Sequence, residues 1–195
     1  NTNLDGIDLS GRDLTGTILR GMDLSDKDLT SVDLTDAILT GTILTGADLS
    51  NSILTRVDLT DIDLTDAILT GVNLSDKDLT GTILTGADLS NSILAGVDLT
   101  DKDLTGTILT GADLTDVNLP ADIDLSGRDL TGTILRGQDL SVKDLTGTIL
   151  TGADLSNTNL DGIDLSGRDL TGTILRGMDL SDKDLTSVDL TDAIL

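Results

Sequence analysis

Leucine recurs every fifth residue from Leu4 to Leu119 and again from Leu125 to Leu195, and no leucine stands outside that series. A single step, Leu119 to Leu125, is six residues long, and it holds Pro120, the sole proline. A period of five fits neither the 3.6-residue stripe of a helix nor the two-residue alternation of a strand. Helix is opposed further by Gly, Asp, Asn and Thr recurring every few positions. Five residues suffice for one short side of a coil, about three extended residues and a corner, and Gly, Asn and Asp tolerate corner geometry. Coils stacked about 4.8 Å apart set leucine over leucine. The predicted fold is therefore all-β, a parallel β-solenoid with a leucine column inside each side. Leu49, Leu69, Leu89 and Leu109 are read as one such core ladder.

Composition narrows the chemistry. The chain carries 12 Lys and Arg against 35 acidic residues, a net charge of −23, and every acid is Asp. It has no His, Cys or Glu and no aromatic residue. That excludes an imidazole base, a thiol nucleophile, soft metal ligation and disulfides. It also removes any stacking platform for bases, and polyanionic character repels nucleic acid. No catalytic residue and no cofactor is expected. Nor does any apolar run approach the roughly 20 residues of a membrane-spanning helix.

A second period lies above the first. Residues 157–195 repeat residues 1–39 letter for letter, a long period of 156 residues that includes the single-residue insertion near 120–122. Shorter echoes sit inside it: the block Ser10–Gly21 returns at 126–137 and 166–177. Residues 1–195 are read as one continuous solenoid. Beginning at Asn1 rather than Met, they are read as a window on a longer tandem array.

Ala47-Asp48-Leu49, Ala87-Asp88-Leu89, Ala112-Asp113-Leu114 and Ala153-Asp154-Leu155 carry the motif of the pentapeptide-repeat family, which the sequence resembles over its whole length. The resemblance implies a right-handed quadrilateral β-helix of about 20 residues per turn, with the central Leu and the small residue two before it facing inward. The forty-residue step between the blocks at 126 and 166 suits two such turns. Ile38, Ile53, Ile68 and Ile83, spaced by 15, would instead stack on one face of a three-sided coil, the lesser alternative.

One departure from the family pattern stands out. The position two before Leu, expected to be small, holds Lys27, Lys77, Lys102, Lys143, Lys183, Arg12, Arg128, Arg168, Gln138, Met22 and Met178. An unpaired ammonium buried there costs several kcal/mol. Such side chains are expected either to snorkel through a corner or to widen their side of the coil. Wherever that position carries Lys, Arg or Gln, the next residue is Asp; wherever the next residue is Ile, that position is Thr, Ala or Ser.

The Asp columns invite calcium, but no Asp-x-Asp-x-Asp-Gly loop with a closing Glu is present, and only weak, non-specific divalent cation binding is expected. Thr15, Thr30 and Thr45, each after a Leu, read as strand-compatible outer residues rather than an ice-binding ladder. Outward isoleucine is the feature on which the functional reading rests. Ile38, Ile53, Ile68 and Ile83 are the candidate lateral contacts, with Arg20, Arg56, Arg136 and Arg176 reaching a neighbour's Asp. The reading is a structural repeat module of a long fibre-, stalk- or sheath-forming protein, extracellular or on the cell surface, whose partners are copies of itself. A polyanionic DNA mimic that binds a topoisomerase is the alternative implied by the resemblance; an ice- or calcium-binding surface is a further one.

Overall fold

The computed structural model describes residues 7–195, so Leu4 lies outside the described residues. Each pentad closes on itself first. The N–H of the third residue after Leu donates to the Leu carbonyl, as from Thr17 to Leu14, Ala47 to Leu44 and Ala87 to Leu84, all at 3.0 Å. At most corners the second residue after Leu takes a positive φ, between 54° at Asp76 and 75° at Gly162; Asp101, Val142 and Asp182 do not. That combination is a type II turn, which is why Gly, Asn and Asp occupy the position.

Successive coils then pair. Leu14 N–H donates to the Asp33 carbonyl at 2.8 Å and Asp33 N–H to the Arg12 carbonyl at 2.9 Å. The result is a parallel bridge between Asp13 and Asp33, and the same step of twenty joins Ile18 to Ile38, Asp48 to Ile68 and Ile174 to Ile194. Twenty residues are four pentads, so the coil has four sides and the three-sided alternative falls. Turns come so often that the described residues form isolated bridges rather than continuous strands. Leu49, Leu69, Leu89 and Leu109, one coil step apart, are all buried. The insertion appears as a step of twenty-one between Asp113 and Ile134. There Ile123 N–H donates to Pro120, which opens the turn in place of leucine.

Corners of adjacent coils interlock. The side chains of Asp26, Asn51, Asp61, Asp66, Asp76 and Asn91 fill the space above their own corner, and the next coil has Gly46, Gly71, Gly81, Gly86, Gly96 and Gly111 there. A Cβ on Gly96 would stand 2.7 Å from Asp76 Oδ1. Glycine at these corners thus answers both the positive φ and the carboxylate or amide below it.

Candidate functional site

The cations two before Leu are resolved by the turns of the preceding coil. Lys77 Nζ donates to the Leu54 and Val57 carbonyls at 2.6 and 2.8 Å. Lys143 Nζ donates to Pro120 and Ala121 at 2.7 and 2.6 Å, and Lys183 Nζ to Leu160 at 2.5 Å. Arg128 reaches the Leu104 carbonyl at 2.8 Å, and the Gln138 amide donates to Leu114 and Val117, both at 3.0 Å. Thr42, Thr82 and Thr148 hydroxyls play the same part on Leu19, Leu59 and Leu125. These side chains neither lie unpaired in the core nor swing wholly into water; Lys77, Arg128, Lys143 and Lys183 are half-buried at the corners and Gln138 is buried, all with nitrogens on backbone oxygens. Desolvation lowers the pKa of Lys77, and the charge of Asp58 opposes it.

This docking has a structural cost. The Val57 carbonyl taken by Lys77 is the one that the Asp78 N–H would use, and no 58–78 bridge forms. The interruption extends to the adjacent side: bridges 13–33 and 33–53 lie below and 73–93 and 93–113 above, but 53–73 is not made. Leu54 and Arg56 N–H do not make to the next coil the bonds that Leu34 and Asp36 N–H make to Ile53 and Thr55. Ser52 Oγ, buried, has no partner. A cleft of about 520 Å³ opens there, lined by polar residues of two coils that include Ser52, Arg56, Asn73 and Lys77. Above the gap the same side, which carries Val72, Ser92, Ala112, Thr133, Ala153 and Thr173 two before Leu, is bridged without a break from Asn73 to Ile194.

Each outward Asp has a local task. Its Oδ1 accepts the N–H of the residue after Leu, as in Asp13 with Thr15 at 3.0 Å and Asp28 with Thr30 at 2.9 Å. The hydroxyl often joins, as from Ser25 to Asp23 at 2.5 Å. These bonds pull the pKa of Asp23 and Asp13 below the ordinary carboxylate value. Thr15 likewise bonds Asp13, and Thr45 bonds Asp63 of the next coil. Their hydroxyls therefore serve carboxylates rather than forming a free ladder. On one side Asp103, Asp124, Asp144, Asp164 and Asp184 succeed one another at coil spacing with no bridge between them. Among the described residues no group of three or more carboxylates is arranged to hold a metal ion.

Ile38, Ile53, Ile68 and Ile83 are exposed at 38, 47, 36 and 46%. They share no side: each bridges into a different ladder, with Ile18, Asp33, Asp48 and Asp63 respectively. Fifteen residues is one pentad short of a coil, so the four walk diagonally around the rod, and Asp can stand between them on a side, as in Ile43–Asp63–Ile83. The expected straight apolar stripe is replaced by this diagonal. Two of the arginines are also committed within the chain. Arg56 grips Asp36 through Nε and one amino group at 2.6 and 2.5 Å. Arg136 pairs with buried Asp154.

Comparison with known proteins settles the family. The model of pentapeptide repeats matches eight copies over residues 1–26, 28–66, 54–86, 82–119, 124–167 and 169–195. The chain belongs to the pentapeptide-repeat family. Among solved structures it is similar to HetL, a pentapeptide-repeat protein involved in heterocyst differentiation regulation from the cyanobacterium Nostoc sp. strain PCC 7120. That likeness is 36% identity over 94% of this chain and 84% of HetL, with a TM-score of 0.57. QnrB1, a plasmid-mediated fluoroquinolone resistance protein, is more remote, at 22% identity over 87 and 84% of the two chains and a TM-score of 0.42. No curated protein sequence matches the chain. The likeness to HetL is one of the repeat fold, and it points to no fibre or sheath. No helix among the described residues is long and apolar enough to cross a membrane.

Proposed function

We propose that this chain is a non-catalytic scaffold, a right-handed all-β solenoid that extends along its axis as a module of a fibre, stalk or sheath, outside the cell or at its surface. The observation that carries this reading is the polarity of the coil edge. Leu and corner N–H groups point toward the following coil, as from Leu14 to Asp33 and Gly16 to Thr35, while the following coil presents the matching carbonyls. Any coil of this sequence type that arrives next, from the same chain or another copy, meets a complementary edge. The partners are therefore copies of the same repeat. Electron microscopy of the purified chain over a range of concentrations, with and without millimolar divalent cation, tests this. The expected result is filaments of constant width with an axial repeat of about 4.8 Å. Discrete rods at every concentration overturn it.

A second reading follows from the unbroken acidic column Asp103–Asp184, which gives one side of a narrow rod a regular line of negative charge. On that reading the rod imitates DNA toward a DNA-binding enzyme, and inhibition of a topoisomerase in a supercoiling assay is its test.

A further inference from the structure

We infer that the cleft between the coils at Ser52 and Lys77 binds a tetrahedral oxyanion, phosphate or sulfate. The inference is independent of axial assembly. In a chain of net charge −23, this cleft is lined by Arg56 and Lys77 and by no acidic side chain. The neighbouring clefts are lined by Asp101, Asp103, Asp122 and Asp124, by Asp78, Asp98 and Asp101, or by Asp116 and Asp139. Its donors keep hydrogen-bonding capacity that the chain does not use. Ser52 Oγ is buried and unpartnered, although its sequence twin Ser92 bonds the Leu89 carbonyl at 2.7 Å. Lys77 spends two protons on Leu54 and Val57 and retains a third. Arg56 uses Nε and one amino group on Asp36 and retains the other.

Arg56 itself is the second argument. It holds φ at 56° at a corner where Gly, Asn, Asp and Ser otherwise serve. A long side chain in that region is strained, and such strain is characteristic of functional positions. The donors come from the lower coil, the upper coil and the corner. That spread suits the oxygens of a tetrahedral anion better than a planar carboxylate, which the arginine fork already meets in Asp36.

The test is a titration of the full 195-residue chain with inorganic phosphate and with O-phosphoserine at constant ionic strength, read by calorimetry and by ³¹P NMR. The two arms separate a free anion from one carried on a phosphorylated partner, and saturable one-to-one binding in either supports the site. Ser52→Ala, which installs the residue that Ala47 and Ala67 already show at this register, and Arg56→Gly, which installs the usual corner residue, are both expected to weaken binding about tenfold or more. Arg20→Thr, at another corner, is expected to leave it unchanged. Absence of saturation, tighter binding of acetate than phosphate, or equal loss in all three variants overturns the assignment.

Discussion

Residues 20–39 and 176–195 carry the same twenty letters in different surroundings. In the first, Leu24, Leu29, Leu34 and Leu39 lie in the core, Leu39 at 1% exposure. In the second, Leu180, Leu185 and Leu190 are only partly buried and Leu195 is 74% exposed. The first stretch has residues 40–59 over it; Leu24 N–H donates to Ile43 and Leu34 N–H to Ile53, both at 2.9 Å. A pentad therefore does not own its burial. Each coil supplies half of an environment, and the following coil supplies the rest.

The largest expected effect tests that statement directly. Leu29→Ala removes a fully buried side chain and is expected to cost about 2–5 kcal/mol, whereas Leu185→Ala, the same letter in the same sentence, is expected to cost less than half as much. Urea unfolding of both variants measures the difference. Equal losses would break the comparison.

Corner glycines come next. Gly11 and Gly81 both hold positive φ, but a Cβ on Gly11 meets nothing within 4 Å, while one on Gly81 would strike Asp61 Oδ1. Gly11→Ala is expected to cost about 1–2 kcal/mol for backbone conformation alone. Gly81→Ala is expected to exceed it, and the double variant Gly81→Ala with Asp61→Gly to restore the difference. Thermal unfolding of the three variants reads this out.

How much of this could be read beforehand depends on how far apart the interacting residues lie in the chain. The inward place of Leu49, Leu69, Leu89 and Leu109 was legible because a strict period of five sets it, whereas the twenty-residue step that stacks them came with the family resemblance. The cation positions were legible as an anomaly, since Lys77 and Lys143 stand where Ala47 and Ala87 set the rule. Their acceptors were not: the carbonyls of Leu54 and Pro120 lie 23 residues earlier and are backbone atoms that no letter encodes. The spacing of Ile38, Ile53, Ile68 and Ile83 offered a fifteen-residue coil as the lesser alternative, and the bridges at twenty carry them around the rod instead. The Arg56–Asp36 pair and the cleft beside it had a usable signal, namely the comparison of each residue with the one twenty positions away.

Asp154 sharpens the comparison between exposed and covered carboxylates. Burial raises its pKa, but the Ser156 hydroxyl, the Arg136 guanidinium and the Ser156 N–H outweigh that, and the net shift is downward from 3.8. A depressed folded-state pKa contributes stability that is complete above the unfolded value and is lost as pH falls through the folded one. Stability is thus expected to hold from neutral pH to about 4 and to fall below it. Asp154→Ala is expected to cost about 1–3 kcal/mol at pH 7 and to flatten the acid limb, as measured by denaturation across pH 2.5–7.

The smallest effect concerns Arg56. Its pair with Asp36 is exposed, so its removal sacrifices little, and Arg56→Gly relieves the strained corner. The melting temperature is expected to stay level or rise by about 2–4 °C. A clear fall would mean that the pair, not the cleft, keeps arginine there.

The interlocked corners also act as a proofreading device. Leucine at every fifth position makes the core blind to a slip of one pentad, because every leucine would still land on a leucine. The corners are not blind. In register, Asn51, Asp66, Asp76 and Asn91 meet Gly71, Gly86, Gly96 and Gly111. Slipped forward by five residues, these four would meet Asp76, Asn91, Asp101 and Asp116 in place of glycine, although Asp61 would still meet one in Gly86. A monotonous core thus carries its address at its edges, and a coil that winds one pentad out of phase is rejected by its corners while its interior remains content.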